Sequence, residues 1–255
     1  MKHPWRTAAF ALGAAGLAGL YLAACAGIPT ANERPSRYGQ LVNRLALAQR
    51  HVTDVVTAVN FDFRGFDTIG EEYILFVSVM GALVLLREAY QKTERDDEED
   101  ARTPRREAGP SEAVQLWTLS MTGPTIIFGL YVVGHGQLSP GGGFQGGVIL
   151  ATAPLLIYLA DEFKTFKRVI SYRLVEVAEA VGAGGYVLIG FLSWFDGEPF
   201  LTNLFPLGQT GTMTSGGMLA LINLAVGLEV AAGFIVLLHA FMQSSLHDPK
   251  SKEKS

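Results

Sequence analysis

Long, uninterrupted apolar runs dominate this sequence and leave few folds open to it. A helix needs about 20 mostly apolar residues to cross a hydrocarbon core about 30 Å thick. The stretches 7–28, 69–87, 114–134, 144–160, 175–195 and 216–242 reach or approach that length; the fourth is the shortest and opens in glycines. Their continuity indicates helices, because a lipid-facing barrel strand alternates apolar and polar residues. The expected fold is an all-α, polytopic membrane protein of about six transmembrane helices in a lipid bilayer.

Composition agrees. Charged residues make up 17% of the chain and hydrophobic ones 49%, with a mean hydropathy of +0.27. A soluble domain usually carries about a quarter charged residues. The net charge of -4 comes with no accumulated basic face, so no nucleic-acid partner is expected. The single cysteine, Cys25, excludes an intramolecular disulfide or a thiolate metal cluster. With no nucleophile–base arrangement and no cofactor loop, the expectation is a protein that is not an enzyme and carries no cofactor.

Lysine and arginine orient the spans. With the N-terminus inside, the inner segments hold Lys2, Arg6, Arg87, Lys92, Arg95, Arg102, Arg105 and Arg106. They also hold Lys164, Lys167, Arg168, Arg173, Lys250, Lys252 and Lys254. The other arginines, at 34, 37, 44, 50 and 64, lie in the first outer segment. Both termini are thus expected in the cytoplasm of a bacterial or archaeal cell. The basic start and Leu22-Ala23-Ala24-Cys25 also resemble a lipoprotein signal. Five further spans favour its retention as a first helix.

A charged segment at 91–110, with its acidic run Asp96-Asp97-Glu98-Glu99-Asp100, cannot bury enough apolar surface to fold alone. It reads as a cytoplasmic linker between a two-helix module at 1–90 and a four-helix module at 111–255. Residues 40–60 read as an amphipathic surface helix, with Leu41, Leu45, Ala48, Val52, Val55, Val56 and Val59 near one face. A shorter amphipathic candidate covers 162–174.

Two motifs are more specific than hydropathy. Residues 56–71 run from Val56 through Asn60-Phe61-Asp62-Phe63-Arg64-Gly65-Phe66-Asp67-Thr68-Ile69-Gly70-Glu71. They resemble the signature at the C-terminal end of the large A-type component of Mrp antiporters, shared by the E-type membrane component of energy-converting hydrogenases. Residues 134–147 contain Gly134-His135-Gly136, then Pro140-Gly141-Gly142-Gly143-Phe144-Gln145-Gly146-Gly147. They are similar to the signature of the B-type family of Mrp antiporter subunits. The resemblance covers about 40–90 and 114–242. It implies one member of a multisubunit complex that exchanges Na⁺ for H⁺, or couples redox chemistry to ion pumping. The implied partners are A-, C- and D-like membrane subunits.

The residues themselves suggest where ions would interact. The glycine hairpin allows close backbone approach, and irregular backbone at membrane depth is tolerated only inside protein or beside water. Close packing and ion-path lining both remain open for it. His135, at the outer end of the third span, is either a structural hydrogen-bonding residue or a proton relay. No partner stands at metal-ligand spacing from it, so no metal site is expected. Glu71 and Glu72 enter the second span after Asp67, where a helix N-terminus favours carboxylates; that structural role and an ion-path role both remain open, and the family resemblance points to Glu71. Glu176 and Glu179 open the fifth span. Glu229 sits midway along the sixth, where an ionised carboxylate is expensive and is a functional candidate by default. Pro124, among Ser120, Thr122 and Thr125, suggests a broken or kinked third span. Gly182-Ala183-Gly184-Gly185 reads as a packing face.

Overall fold

A computed structural model describes residues 4–27, 36–100 and 110–245; their regular structure is helical, with no strand among them. The helices are α1 (Pro4–Ala26), α2 (Arg37–Arg50), α3 (Val55–Ala58), α4 (Gly65–Asp100), α5 (Glu112–Gly134), α6 (Gly143–Val169), α7 (Tyr172–Phe195) and α8 (Met218–Ser245). A π-helical turn, Val59–Phe63, joins α3 to α4. Five stretches are long and apolar enough to cross a membrane: Gly65–Leu86, Glu112–Gly134, Gly143–Ala160, Tyr172–Phe195 and Met218–Met242. A shorter apolar helix, Phe10–Ala26, lies in α1.

Residues from Val42 onward form one compact unit, and Met1–Leu41 form another. In the larger unit α8 packs against α4, α6 and α7, while α5 pairs with α6. Of the five spans, α8 is the most enclosed. Val226, Val230 and Val236 are fully buried, and Met218, Leu219 and Ile222 complete the core with Tyr186 of α7. Outward faces of the other spans carry large apolar side chains such as Leu85, Ile127, Leu188 and Phe195. Such surface suits lipid or neighbouring apolar subunits.

Small residues set these approaches. A Cβ on Gly143 would lie 2.5 Å from the Asn223 carbonyl oxygen and 2.9 Å from the Gly227 nitrogen. Only hydrogen fits there. The hairpin that begins α6 is therefore packed directly on α8. Gly142 adopts φ +116°, and its missing Cβ would lie 2.7 Å from Asn223 Oδ1. The Asn223 amide holds the hairpin in place, accepting from the Gly143 amide at 2.8 Å and donating to the Leu219 carbonyl at 3.0 Å.

Several expected boundaries shift. The amphipathic helix expected over 40–60 is interrupted after Arg50, where His51 takes φ 56°. Val52 then closes the end through its amide to the Ala46 carbonyl at 3.1 Å, and its side chain is fully buried. Glycine or asparagine usually supplies that left-handed helix stop; a histidine there conceals it. The His51 ring contacts the Gly208 carbonyl at 2.6 Å, which fixes the turn from outside the helix.

The helical segment expected over 162–174 is instead the end of α6 and the start of α7, separated at Ile170 and Ser171. The charged segment begins as helix, since α4 runs to Asp100; residues 101–109 lie outside the described residues, as do Lys2, Arg34 and the C-terminal lysines. α5 continues through Pro124 without a break. The Thr125 hydroxyl donates to the Met121 carbonyl at 2.8 Å, the same back-bonding to the preceding turn that Thr118 and Thr122 make.

Gly142→Val is expected to destabilise the folded protein by about 1–3 kcal/mol, the usual cost of forcing side-chain volume into a packed interior, with added strain from its positive φ. The thermal unfolding midpoint of the purified complex reads this. A midpoint and subunit composition equal to the parent's would place the hairpin outside the packed interior.

Candidate functional site

Three carboxylates are buried between the spans of the larger unit. Glu72 of α4 is 4% exposed, and Glu179 of α7 and Glu229 of α8 are each 1% exposed. Both side-chain oxygens of Glu179 and of Glu229, and Oε2 of Glu72, find no hydrogen-bond partner among the described residues. Glu229 lies within electrostatic range of Glu179, and Glu72 within range of Glu229. The three form a row across the α4–α8–α7 contact. Charge in so apolar a setting is costly unless a proton or cation accompanies it. No set of three His, Cys, Asp or Glu side chains converges to hold a metal ion among the described residues.

Backbone contacts fix the row. α7 runs antiparallel to α8, so Gly182 meets Glu229 while Gly233 meets Glu179. A Cβ on Gly182 would be 2.7 Å from Glu229 Cα, and one on Gly233 would be 3.2 Å from Glu179 Oε1. The face expected at 182–185 is thus a packing contact at Gly182 that seats Glu229 itself; Gly184 faces open space. Helix geometry of about 3.6 residues per turn sets the depths. Glu72 lies about two turns from the Gly65 end of α4 and Glu229 about three turns into α8. Glu179 lies about two turns from the Tyr172 end of α7.

The other sequence candidates separate. Glu71 is exposed, and its neighbour Glu72 is the one that faces inward. Glu176 is half-buried one turn from Glu179 and within its electrostatic range. Asp67 is exposed and pairs with Arg64, whose Nε lies 2.6 Å from Asp67 Oδ2. His135 follows the last turn of α5, where its ring stacks on Tyr131 at 3.9 Å and its Nδ1 lies 3.1 Å from the Tyr131 carbonyl. In the hairpin, Pro140 and Phe144 face outward while Gly142, Gly143, Gly146 and Gly147 are buried; Gly141, at φ +137°, is half-buried.

Sequence reading missed two groups. The first is a polar junction between the segment before α4 and the turn after α5. Asp54 caps α3, accepting from the Val56 and Thr57 amides at 3.3 and 3.2 Å and from the Thr57 hydroxyl at 2.9 Å. Thr57 Oγ1 also lies 2.6 Å from the Gly136 carbonyl, and Thr53 donates to the Leu138 carbonyl at 2.6 Å. The second is Tyr186, 1% exposed, whose hydroxyl donates to the Gly65 carbonyl at 3.0 Å. An Asp at a helix start was a readable cap signal, but nothing in the sequence announces the pairing of Tyr186 with Gly65.

This architecture defines a class: multi-pass membrane proteins that hold carboxylates between packed helices. Residues 114–236 match a family described as a domain related to the MnhB subunit of Na⁺/H⁺ antiporter. The B-type subunit of the Na⁺/H⁺ antiporter from Alkalihalophilus pseudofirmus is 34% identical over 113 residues, covering 41% of this chain and 78% of that protein. The A/B-type subunit of a probable K⁺/H⁺ antiporter from Rhizobium meliloti is 29% identical over 231 residues, 80% of this chain but only 22% of that larger protein. Among solved structures, a chain of the membrane-bound sulfane sulfur reductase, an archaeal respiratory membrane complex, aligns with a TM-score of 0.71 and 26% identity. That alignment covers 92% of this chain and 98% of the other. The chain belongs to the MnhB-related family of B-type Na⁺/H⁺ antiporter subunits. It is a multi-pass membrane protein.

Asp54→Ala is expected to destabilise the protein by about 1 kcal/mol, within the roughly 0.5–2 kcal/mol typical of lost N-caps, because it removes three hydrogen bonds at once. The thermal midpoint measures this. Asp54→Asn, which keeps the acceptor, should recover most of the loss.

Proposed function

We propose that this chain is a membrane subunit of a multisubunit monovalent cation/proton antiporter, providing both ion-interacting carboxylates and a packed interface for A-, C- and D-like membrane subunits. The row Glu72–Glu229–Glu179 carries the reading, since such burial without hydrogen bonds is unfavourable for a purely structural group. A proton or a Na⁺ ion drawn from the partners would neutralise each carboxylate in turn. No covalent step is involved, and the chain acts as a transporter component rather than an enzyme. With α1 counted as a sixth span, the lysine and arginine distribution supports both termini in the cytoplasm and the Gly65 end of α4 outside. Glu72 then sits toward the outer face, Glu229 near the middle and Glu179 toward the inner face.

A second reading, membership of a redox-driven ion pump, is favoured by the near end-to-end match to a chain of a respiratory complex. Cation-driven proton movement by the purified complex, without any redox donor, separates the two.

Glu229→Gln, introduced into the whole complex, is expected to leave assembly intact and to abolish or strongly slow cation-driven proton movement in vesicles. Glu229→Asp should retain part of it, since the charge survives on a shorter arm. Full transport by the glutamine variant would make this chain a spacer that carries no ion. Separately, a cysteine placed within 101–109 should react with an impermeant label only from the cytoplasmic side; labelling from outside would reverse the topology.

A further inference from the structure

At the Gly65 end of the unit, a polar cleft of about 900 Å³ opens between the start of α4 and the loop after α7. Its charged lining is internally paired. Arg50 meets Asp62 at 2.6 Å, and Arg64 meets Asp67. Gly65 and Leu201 also line it, and they lie directly over Tyr186. A Cβ on Gly65 would be 3.2 Å from Leu201 Cδ1 and 3.6 Å from the Tyr186 hydroxyl. Leu201 is held there at φ 66° by the hydrogen bond its amide donates to the Gly190 carbonyl at 3.0 Å. Beneath that floor the Tyr186 hydroxyl bonds the Gly65 carbonyl and lies beside the Thr68 hydroxyl and within electrostatic range of Glu72. Thr68 in turn donates to the Asn60 carbonyl at 2.6 Å. Polar groups therefore continue from the cleft to the row of carboxylates. Apolar side chains close the neighbouring space, with Phe61 edge-on to Tyr186 at 6.0 Å.

We propose that this cleft is the outer mouth of the ion route, and that the buried Tyr186 hydroxyl joins it to Glu72. The inference rests on the carboxylate reading above and adds its missing end. A hydroxyl can accept a proton on one side and release one on the other without becoming an ion, so it can hand protons between the cleft and Glu72. Paired charges suit a mouth of this kind, because they draw water to the opening without trapping a cation there. Tyr186 is here a proton relay on the route, passing protons to and from Glu72.

The test uses the intact complex in vesicles of known orientation. Tyr186→Phe keeps the ring and removes the hydroxyl. It is expected to slow cation-driven proton movement while subunit composition stays parental, with the thermal midpoint lowered by no more than the loss of one buried hydrogen bond. In a second variant, Thr202→Cys on the cleft wall, a charged membrane-impermeant methanethiosulfonate added outside should block transport. A reducing agent should then restore it, and the parent complex treated alike should be unaffected. If Tyr186→Phe fails to assemble, the reversible block decides. Parental transport by an assembled Tyr186→Phe complex, or by modified Thr202→Cys, overturns the proposal, as does a block obtained only from the inner side. Glu229→Gln in the same assay keeps the two readings apart. Loss of transport there with parental rates in both other variants leaves the carboxylate reading standing and removes the mouth. Parental transport in Glu229→Gln removes the carboxylate reading itself, and this mouth with it.

Discussion

Backbone-to-backbone contact around α8 is the constraint on which the rest of this structure depends. In the apolar phase there is little hydrophobic gain from bringing helices together, so association rests on van der Waals contact and hydrogen bonds at short range. The chain meets that requirement with glycines on the helices facing α8. Gly143 admits the Asn223 carbonyl, and Gly182 admits the Glu229 backbone. Because α8 is held from both sides, Glu229 has little freedom to relax toward lipid or water. Its burial follows from the packing, as does its position between Glu72 and Glu179.

That packing creates an electrostatic problem that the rest of the interior does not solve. The polar groups at the Gly65 end are largely satisfied: Asp54 by two amides and a hydroxyl, Asn223 by an amide and a carbonyl, Asp62 by Arg50. Deeper in, the carboxylates face valines, glycines and one another. A protein selected only for stability would gain by replacing them with apolar residues of similar volume. Unlike Asp54, Asn223 and the ion-paired Asp62, the Glu179 and Glu229 oxygens find no hydrogen-bond partner among the described residues, a contrast that supports the proposal that these carboxylates exchange with mobile ions.

The spans and their helical nature were legible because apolar length is a direct physical requirement of the bilayer. Glu229 was legible for the same reason, as a charge inside an otherwise unbroken run. Which carboxylate faces inward at the start of α4 was not, since Glu71 and Glu72 differ by about 100° around a helix whose axis rotation is set by its neighbours. Local hydropathy cannot set that rotation; the Phe61 and Tyr186 packing and the Thr68 hydroxyl bond do. The stop at His51 was hidden because it depends on a carbonyl contact from Gly208, a long way along the chain. The hairpin offered two readings, packing or ion-path lining. Close packing is what Gly142 and Gly143 display.

The carboxylate row draws on both sequence-defined modules. Glu72 comes from the segment before the charged linker, while Glu179 and Glu229 come from the segment after it. The contacts that align them also cross that divide: Tyr186 to Gly65, Thr57 to Gly136, and Thr53 to Leu138. Neither module alone can assemble the row. A covalent tether between them makes their docking intramolecular, replacing a bimolecular search with a high effective concentration. It also fixes one Glu72 for each Glu229. The first motif, Asn60 to Glu71, is then best understood as the piece that completes the second module's interior. Its π-helical turn and the Arg64–Asp67 pair hold the start of α4. Phe61, Thr68 and Gly65 set the face it presents to α7, and that face sends Glu72 inward.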